Sequence, residues 1–423
     1  MIRNIFVFLH RWIGLLMTVF LVIVSLTGSL LAFNKELEHV FAAKLYATPR
    51  TDIPPLDLAT LMDRAPVIPH ARVVGASSNQ KDQATIGYLP EIDPATKKPY
   101  DLGFTQFFVD PFTGAELGRR RRGDITEGLV NMMPFVYRLH DKFVPILSSG
   151  TGTLVLGIVA VFWTLDCFNG FYLTLPVSLA GFWRKWKTAW SIKRGAGAYR
   201  LNLDLHRASG LWLWPILFVF AWSSVMFNLR PVYDWTMSKL MDQPSMFDGL
   251  AELKKKMDEA PKRQANAAPA IDAHAALEAG ARLAAEQAGK EGRDIPDLAA
   301  SINYNEKMGA YMFAARSSRA AEDSRDLTLV TIDGVTSEAV ELPIMKLMNR
   351  TGTRATIDYW LGALHTASVF GLPYKIFVCA LGLVIAMLSI TGVYIWWKKR
   401  KARHFRKTHI AAASAVAATA AVD

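Results

Sequence analysis

Four of the nine histidines in this 423-residue chain stand at matching places, and that pairing is the first sign of chemistry. His10 opens His10-Arg11-Trp12-Ile13-Gly14-Leu15, and His206 opens His206-Arg207-Ala208-Ser209-Gly210-Leu211. Each motif leads into an apolar run of about 20 residues that closes on Phe-Asn, so the chain reads as a duplicated unit. His140 and His365 stand just before the second and fourth apolar runs. Imidazole is a good iron ligand, and a haem inside a helix bundle takes an axial ligand from each of two facing helices. His10 with His206, and His140 with His365, would supply two such pairs of haem-iron ligands, one toward each face of a membrane. The chemistry expected is two bis-His b-type haems forming an electron path. No Cys-x-x-Cys-His occurs, which excludes covalent attachment.

Other residues gather around these four. Arg11 and Arg207 accompany their histidines in both copies and join the candidate cofactor set, although a His-Arg pair at a helix end can also be an interfacial anchor. Gly14 and Gly210, one turn beyond, would let a porphyrin approach closely or would serve ordinary small-residue helix packing. Asp166 places a carboxylate inside an apolar run, at a cost of about 2.5–3.5 kcal/mol near a bilayer centre. It would hold the free nitrogen of a ligand imidazole, relay protons, or sit hydrated near the interface. The fourth run has no acid at the matching place. His39, His70 and His274 have no symmetric mates, and His404 and His409 lie in a basic tail; none is assigned a role.

The elements that must position these residues follow from hydropathy. With 51% hydrophobic residues and a positive mean hydropathy, the chain is not that of a soluble enzyme. Four windows qualify as spans: residues 13–33, 150–173, 211–228 and 374–397. The first is too long for a signal peptide and carries the repeated motif, so it is expected to stay as a helix. The net charge of +11 does not point to nucleic acid, because Lys and Arg concentrate in two short flanks, after the second span and after the fourth. By the positive-inside rule both flanks, and both termini, face the cytoplasm. The four arginines at 119–122 fall on the outer side and read as a solvated turn, with an outward basic patch for haem propionates or an anionic metal complex as the alternative. Cys167 and Cys379 fall at different depths, which excludes a disulfide framework.

Between the spans the period changes from helical to two. In the first half a short helix at 56–65 precedes strands at 72–76, 84–89 and 103–109, then the turn Asp110-Pro111-Phe112-Thr113-Gly114. In the second, a polar linker at 251–270 expected to be poorly ordered precedes a helix at 271–288 and strands at 298–305, 309–316, 327–332 and 339–342. The Ala-rich tail from 411 is expected to be disordered.

These residues together resemble a known family. His10-Arg11-Trp12-Ile13-Gly14-Leu15 with Thr27-Gly28, the hairpin from Phe108 through Asp110-Pro111-Phe112-Thr113-Gly114 to Glu116, and the Leu-His steps at His140 and His365 look like the PepSY-associated transmembrane helix family. That family includes iron-regulated inner-membrane proteins and ferrioxamine-type siderophore reductases. The resemblance covers nearly the whole chain, from residue 1 to about 401. It implies a mixed membrane protein, a four-transmembrane-helix bundle from an internal duplication with two periplasmic α+β PepSY-like domains.

The expected segments are spans at 1–33, 149–175, 206–230 and 372–397, PepSY-like domains at 34–128 and 231–356, and interfacial helices at 129–148 and 357–371. A basic cytoplasmic loop at 176–205 and a basic tail at 398–423 complete the chain. The implied activity is reduction of a ferric siderophore outside the bacterial inner membrane, with haem ligated by helix-end histidines. Electron transfer needs no nucleophile or general base, so no catalytic side chain is expected. Some relatives carry a fused flavin-reductase domain; here only a short tail follows Lys407, so the expected donor is a separate cytoplasmic flavoprotein or quinol. Membrane lipid is the other expected partner. Two competing classes remain: a haem-free siderophore or iron permease component, and a regulator whose PepSY domains bind a protease or peptide.

Overall fold

The computed structural model describes residues 2–193, 195, 197–241, 255, 268–294, 296, 298–316, 327–342 and 352–419, with Asn79 described by its backbone and side chains after 352 placed as far as Arg403. The chain divides into two compact units. One comprises Met1–Ala32, Leu139–Arg230 and Leu372–Asp423, the other Phe33–Arg138 and Pro231–Gly371. The helices are α1 (Ile2–Leu31), α2 (Asn34–Phe41), α3 (Leu58–Asp63), α4 (Met132–Lys142), α5 (Ser149–Thr174), α6 (Phe182–Lys187), α7 (Ala198–Trp212), α8 (Trp214–Asn228), α9 (Arg230–Met241), α10 (Ala273–Lys290), α11 (Thr353–His365) and α12 (Gly371–Thr419). The strands are β1 (Ala71–Gln80), β2 (Gln83–Pro90), β3 (Gln106–Val109), β4 (Glu116–Arg120), β5 (Leu298–Asn305), β6 (Ala310–Arg316) and β7 (Thr328–Asp333). The tail expected to lack order from 411 continues α12 as far as Thr419.

In the first unit, α1, α5 and the Gly371–Arg403 part of α12 are long and apolar enough to cross a membrane. The third expected span is bent. A single helix running on from Leu211 does not form; α7 and α8 meet at Leu213 with a 72° bend, and only the pair together has the length of a span. The cause is Pro215 in the first turn of α8, which has no N–H to donate and whose ring displaces the carbonyl four residues back. Among the described residues this unit therefore has three helices long and apolar enough to cross a membrane, or four candidate spans if the bent pair counts as one.

Met17, Leu21, Val159, Cys167, Leu217, Ala221, Leu381 and Ile385 form the core of this unit. Lipid tails are as apolar as these side chains, so close backbone approach supplies most of the packing gain. Gly157 sits where a Cβ would lie 2.7 Å from Leu229 Cβ, and Gly382 presses on Ser25 and Ser29 of α1. The Ser29 hydroxyl donates to the Cys379 carbonyl across that contact at 2.9 Å. Both cysteines are free thiols.

The second unit is built on one antiparallel sheet of seven strands in the order β4-β3-β2-β1-β5-β6-β7. The two soluble segments, expected as separate domains, are thus halves of one sheet, joined where Gly75, Ala76 and Ser77 pair with Asn303, Ile302 and Ser301. The halves keep the same local grammar. Asp57 caps α3 by accepting from Thr60 N at 2.9 Å, and Asp272 caps α10 by accepting from Ala275 N at 2.8 Å. Asp110 Oδ1 accepts from Phe112 N and Thr113 N, and Asp333 Oδ1 accepts from Val335 N and Thr336 N, giving matching side-chain-anchored turns.

Residues 339–342 form no strand; only Ala339 makes an isolated bridge, with Ile332. The 251–270 linker lies mostly outside the described residues. Alternate residues of the strands, among them Ala76, Ile86, Phe107, Ile302 and Phe313, meet Leu58 and Leu61 of α3 and Ala276 and Ala279 of α10 in one core. Full burial of one such large side chain is worth about 1.5–3 kcal/mol. Inside this unit, Arg354 of α11 pairs with Asp234 of α9, both almost fully buried, beside a Tyr233–Asp358 hydrogen bond.

Of the arginines at 119–122, Arg122 lies exposed in a turn as expected, whereas the other three are held by acceptors. Arg119 and Arg120 end β4, where alternation sends neighbours to opposite faces. Arg120 is buried, donating to Glu38 Oε1 at 2.6 Å, the Val130 carbonyl at 2.7 Å and Gln106 Oε1 at 2.9 Å. Arg119 pairs with Glu116 and Arg121 with Asp101. A strand end can hold two consecutive cations when an acceptor stands ready on each side.

The seam between the halves depends on Gly75. A Cβ there would collide with the Ile302 carbonyl and stand 2.8 Å from Asn303 Cα. Gly75→Ala is expected to cost about 1–3 kcal/mol, the usual penalty for overpacking. It should lower the thermal midpoint of β-sheet ellipticity, with Gly87→Ala, at a roomier place, as the control. An unchanged midpoint in Gly75→Ala would mean that the β1–β5 contact is not tight.

Candidate functional site

A histidine on one helix and a glycine on the next recur three times in the membrane-embedded unit. His206 of α7 lies against Gly392 of α12, where an added Cβ would stand 3.4 Å from its Cε1. Its Nδ1 lies 3.0 Å from the Leu388 carbonyl and 3.2 Å from Thr391 Oγ1. His140 of α4 repeats this on α1, with Gly28 beneath the ring, the Val24 carbonyl at 2.9 Å and Thr27 Oγ1 at 3.1 Å. A carbonyl can only accept, so Nδ1 carries the hydrogen and Nε2 keeps its lone pair. Each threonine hydroxyl donates to its own helix, Thr27 to Ile23 O and Thr391 to Met387 O, and so offers the imidazole an acceptor.

The third case differs. His10 of α1 lies against Gly170 of α5, but Asn169 stands where the other two seats have threonine, and Asp166 stands where they have Val24 and Leu388. Both Asp166 oxygens lie 3.0 Å from His10 Nδ1. Asn169 Nδ2 lies 3.5 Å from Asp166 Oδ1. A buried carboxylate thus replaces a backbone carbonyl as the group that orients the ring.

His10 and His206 face each other across a cavity of about 440 Å³, within the range of small-molecule sites. Seven of the nine residues singled out from the sequence line it: His10, Arg11, Gly14, Asp166, His206, Arg207 and Gly210. The His10 and His206 ring centroids are 6.1 Å apart, with planes at 62°. An imidazole nitrogen sits about 2 Å from a first-row metal, and the ring adds about 1 Å on each side, so one metal between two imidazoles needs centroids about 6 Å apart. A Cβ added at Gly14 or Gly210 would meet nothing within 4 Å, so both glycines border open space rather than a packed helix. The bend at Leu213 lies in the same wall, between the lining residues Leu211 and Trp214.

Aromatic walls come from Trp163, Phe171, Trp214 and Trp396, and cations from Arg3, Arg11, Arg207 and Lys399. Two of these cations are committed to the protein. Arg3 donates to the Leu173 and Leu175 carbonyls, and Arg207 to the Thr188 carbonyl at 2.6 Å and Asp204 Oδ1 at 2.9 Å. Apolar walls, two opposed imidazoles and a cationic rim suit a planar, anionic, iron-bearing macrocycle, and the residues present fit a b-type haem. Among the described residues no cluster of His, Cys, Asp and Glu could hold a bare metal ion.

The two remaining candidates lie elsewhere. The His140 seat on α1 is fourteen residues from His10, about 21 Å along a helix axis, which is closer than ligands at opposite ends of a span would be. His365 ends α11 in the other unit. The glycines and threonines under the rings, and Arg3 and Lys399, were not anticipated. Their signal lies in the recurrence of Thr27-Gly28, Asn169-Gly170 and Thr391-Gly392, a repeat that without a structure reads as helix packing.

A family model for the PepSY-associated TM region matches residues 7–399, nearly the whole chain. The chain belongs to the PepSY-associated transmembrane family. No curated protein matches it. Membership of the PepSY-associated family covers both units, since the matched range runs from α1 through the sheet to the end of the apolar part of α12.

The open space beside Gly14 and Gly210 generates a prediction. Gly14→Leu and Gly210→Leu should leave helical ellipticity and detergent-solubilised yield unchanged while cutting copurifying haem b, measured as pyridine haemochrome, at least severalfold. Wild-type haem content in both variants would show that the cavity is not the haem site.

Proposed function

We propose that this protein of the PepSY-associated transmembrane family is an electron-transfer protein of the bacterial inner membrane. It would carry haem b and reduce ferric siderophore to the ferrous state on the periplasmic side, for iron acquisition. The observation that carries the reading is the opposed His10 and His206 pair, each with Nδ1 occupied by a neighbouring helix and rings spaced for one shared metal. Bound haem would supply a one-electron Fe3+/Fe2+ couple in an apolar setting.

The chain's own residues have defined tasks in this reading. Leu388, Thr391 and Asp166 fix the ligand rings, Gly14 and Gly210 clear the plane between them, and Arg11 and Lys399 offer charge to the propionates. A second haem is proposed with His140 and His365 as ligands, on the strength of the sequence repeat and of the seat that α1 gives His140. The short basic flanks support a cytoplasmic placement of both termini and an orientation with the sheet outside. The donor would then be a cytoplasmic flavoprotein or a quinol, and the acceptor a ferric chelate, which binds iron far less tightly once it is reduced.

Absorbance tests the cofactor. Protein purified from haem-replete cells should show a Soret band and an α-band that sharpens with dithionite. His10→Ala and His206→Ala should each remove the same half of the haem, and His140→Ala the other half. A colourless wild-type protein would overturn the reading in favour of a permease or a peptide-binding regulator.

Stopped-flow absorbance tests the substrate. Reduced protein mixed with ferric siderophore should reoxidise faster than with an equal concentration of an iron-free acceptor of similar potential. Equal rates would overturn the siderophore assignment while leaving electron transfer in place.

A further inference from the structure

The three histidine seats of the membrane-embedded unit are built to one plan and depart from it at one residue. Aligned on their glycines, Gly28, Gly170 and Gly392, the position four residues earlier is Val24, Asp166 and Leu388. Where it is apolar, the backbone carbonyl of that residue takes the imidazole Nδ1–H, at 2.9 Å for His140 and 3.0 Å for His206. Where it is aspartate, the side chain takes the same hydrogen, and both carboxylate oxygens are within 3.0 Å of His10 Nδ1. Asp166 is itself only 8% exposed, with Asn169 Nδ2 as its other polar neighbour among the described residues.

A buried carboxylate is costly within an apolar helix. The backbone carbonyl at Val24 or Leu388 orients a ring without that cost, so orientation alone does not account for Asp166. What the carboxylate adds is charge. An anion accepting from Nδ1–H pulls the proton away from the ring and makes Nε2 a stronger donor to a metal, as carboxylate–histidine–metal triads do. A fixed negative charge in a low-dielectric setting also favours the more positive oxidation state of a nearby metal.

On the haem reading above, we infer that Asp166 is a positioning residue that lowers the reduction potential of the haem held between His10 and His206. Asp166 makes that centre the more reducing one relative to a site where His140 Nδ1 meets a backbone carbonyl and a hydroxyl instead of a carboxylate. Electrons then pass downhill from the His10 layer toward the His140 layer, about 21 Å along α1. Three seats share one plan, and the carboxylate at one of them sets the His10 layer apart from the His140 layer.

The test is a spectroelectrochemical titration of the purified full chain, with haem counted first as pyridine haemochrome. Wild-type protein should titrate in two one-electron components. Asp166→Asn, which keeps the shape and removes the charge, should move the lower component upward and leave the other in place. Asp166→Glu, which keeps the charge, should stay nearer to wild type than Asp166→Asn does. In His140→Ala the low component should persist, which assigns it to the His10 layer.

A low component that does not move in Asp166→Asn, two components that move together, or a downward shift would each overturn the inference. Loss of one haem per chain in Asp166→Asn would also overturn it, because Asp166 would then be a structural support. A wild-type protein without any Soret band would instead fail the haem reading itself, and the two failures are told apart before any potential is measured.

Discussion

A buried imidazole has two nitrogens to satisfy, and among the described side chains of the membrane-embedded unit a neighbouring helix takes the first. At His10, His140 and His206 the Nδ1 atom is held by a carboxylate or a carbonyl, and the ring rests on a glycine that lets the helices come close enough for that bond. An unpaired polar atom in an apolar interior costs more than a hydrogen bond contributes, so the glycine and the acceptor must come together. At His10 and His206 their pairing leaves Nε2 to face the cavity between the two rings. Helix spacing, ring orientation and tautomer all follow from that one contact.

The cavity is the complement of the same constraint. Close approach at Gly170 and Gly392 brings His10 and His206 toward each other, while Gly14 and Gly210 leave the space between them unfilled. Pro215 contributes by breaking the third apolar run, so that α7 and α8 do not form one straight rod. A straight helix would obey the hydropathy of residues 211–228; the broken one places Leu211 and Trp214 in the cavity wall on either side of the bend. Membership of the PepSY-associated family agrees with this arrangement, since the matched range takes in every residue of the wall except Arg3 and Arg403.

The sheet unit shows what duplication does when both copies bury the same kind of face. Each half has a helix begun by an aspartate cap and a meander with an aspartate-anchored turn. Each half alone would leave β1 or β5 as an open edge of unpaired N–H and C=O groups. Pairing the two edges satisfies both rows and extends one core beneath α3 and α10. Gly75 fits this seam because any larger side chain would meet the Ile302 carbonyl.

Much of this was legible in the residues alone. Period and turn chemistry located β5 at 298–305 and the Asp110 turn, because these depend on contacts between residues close in sequence. The repeat of His10-Arg11 in His206-Arg207 marked the cavity wall for the same reason: a motif and the helix that carries it are one local unit. What stayed hidden depends on partners far along the chain. Arg120 and Arg121 read as solvated because Glu38, Val130 and Asp101 come to them only in the fold. The two soluble segments read as two domains because nothing local announces that β1 will pair with β5.

The sequence by itself determined which segments are apolar, where the histidines repeat and that one apolar run carries a carboxylate. Only the tertiary structure decided that Asp166 belongs to His10, that Leu388 and Val24 hold the other rings, and that Pro215 bends the third run beside the cavity. Periodicity is written in neighbours a few residues apart, whereas the partner of a buried polar atom is chosen by whichever helix the packing brings alongside.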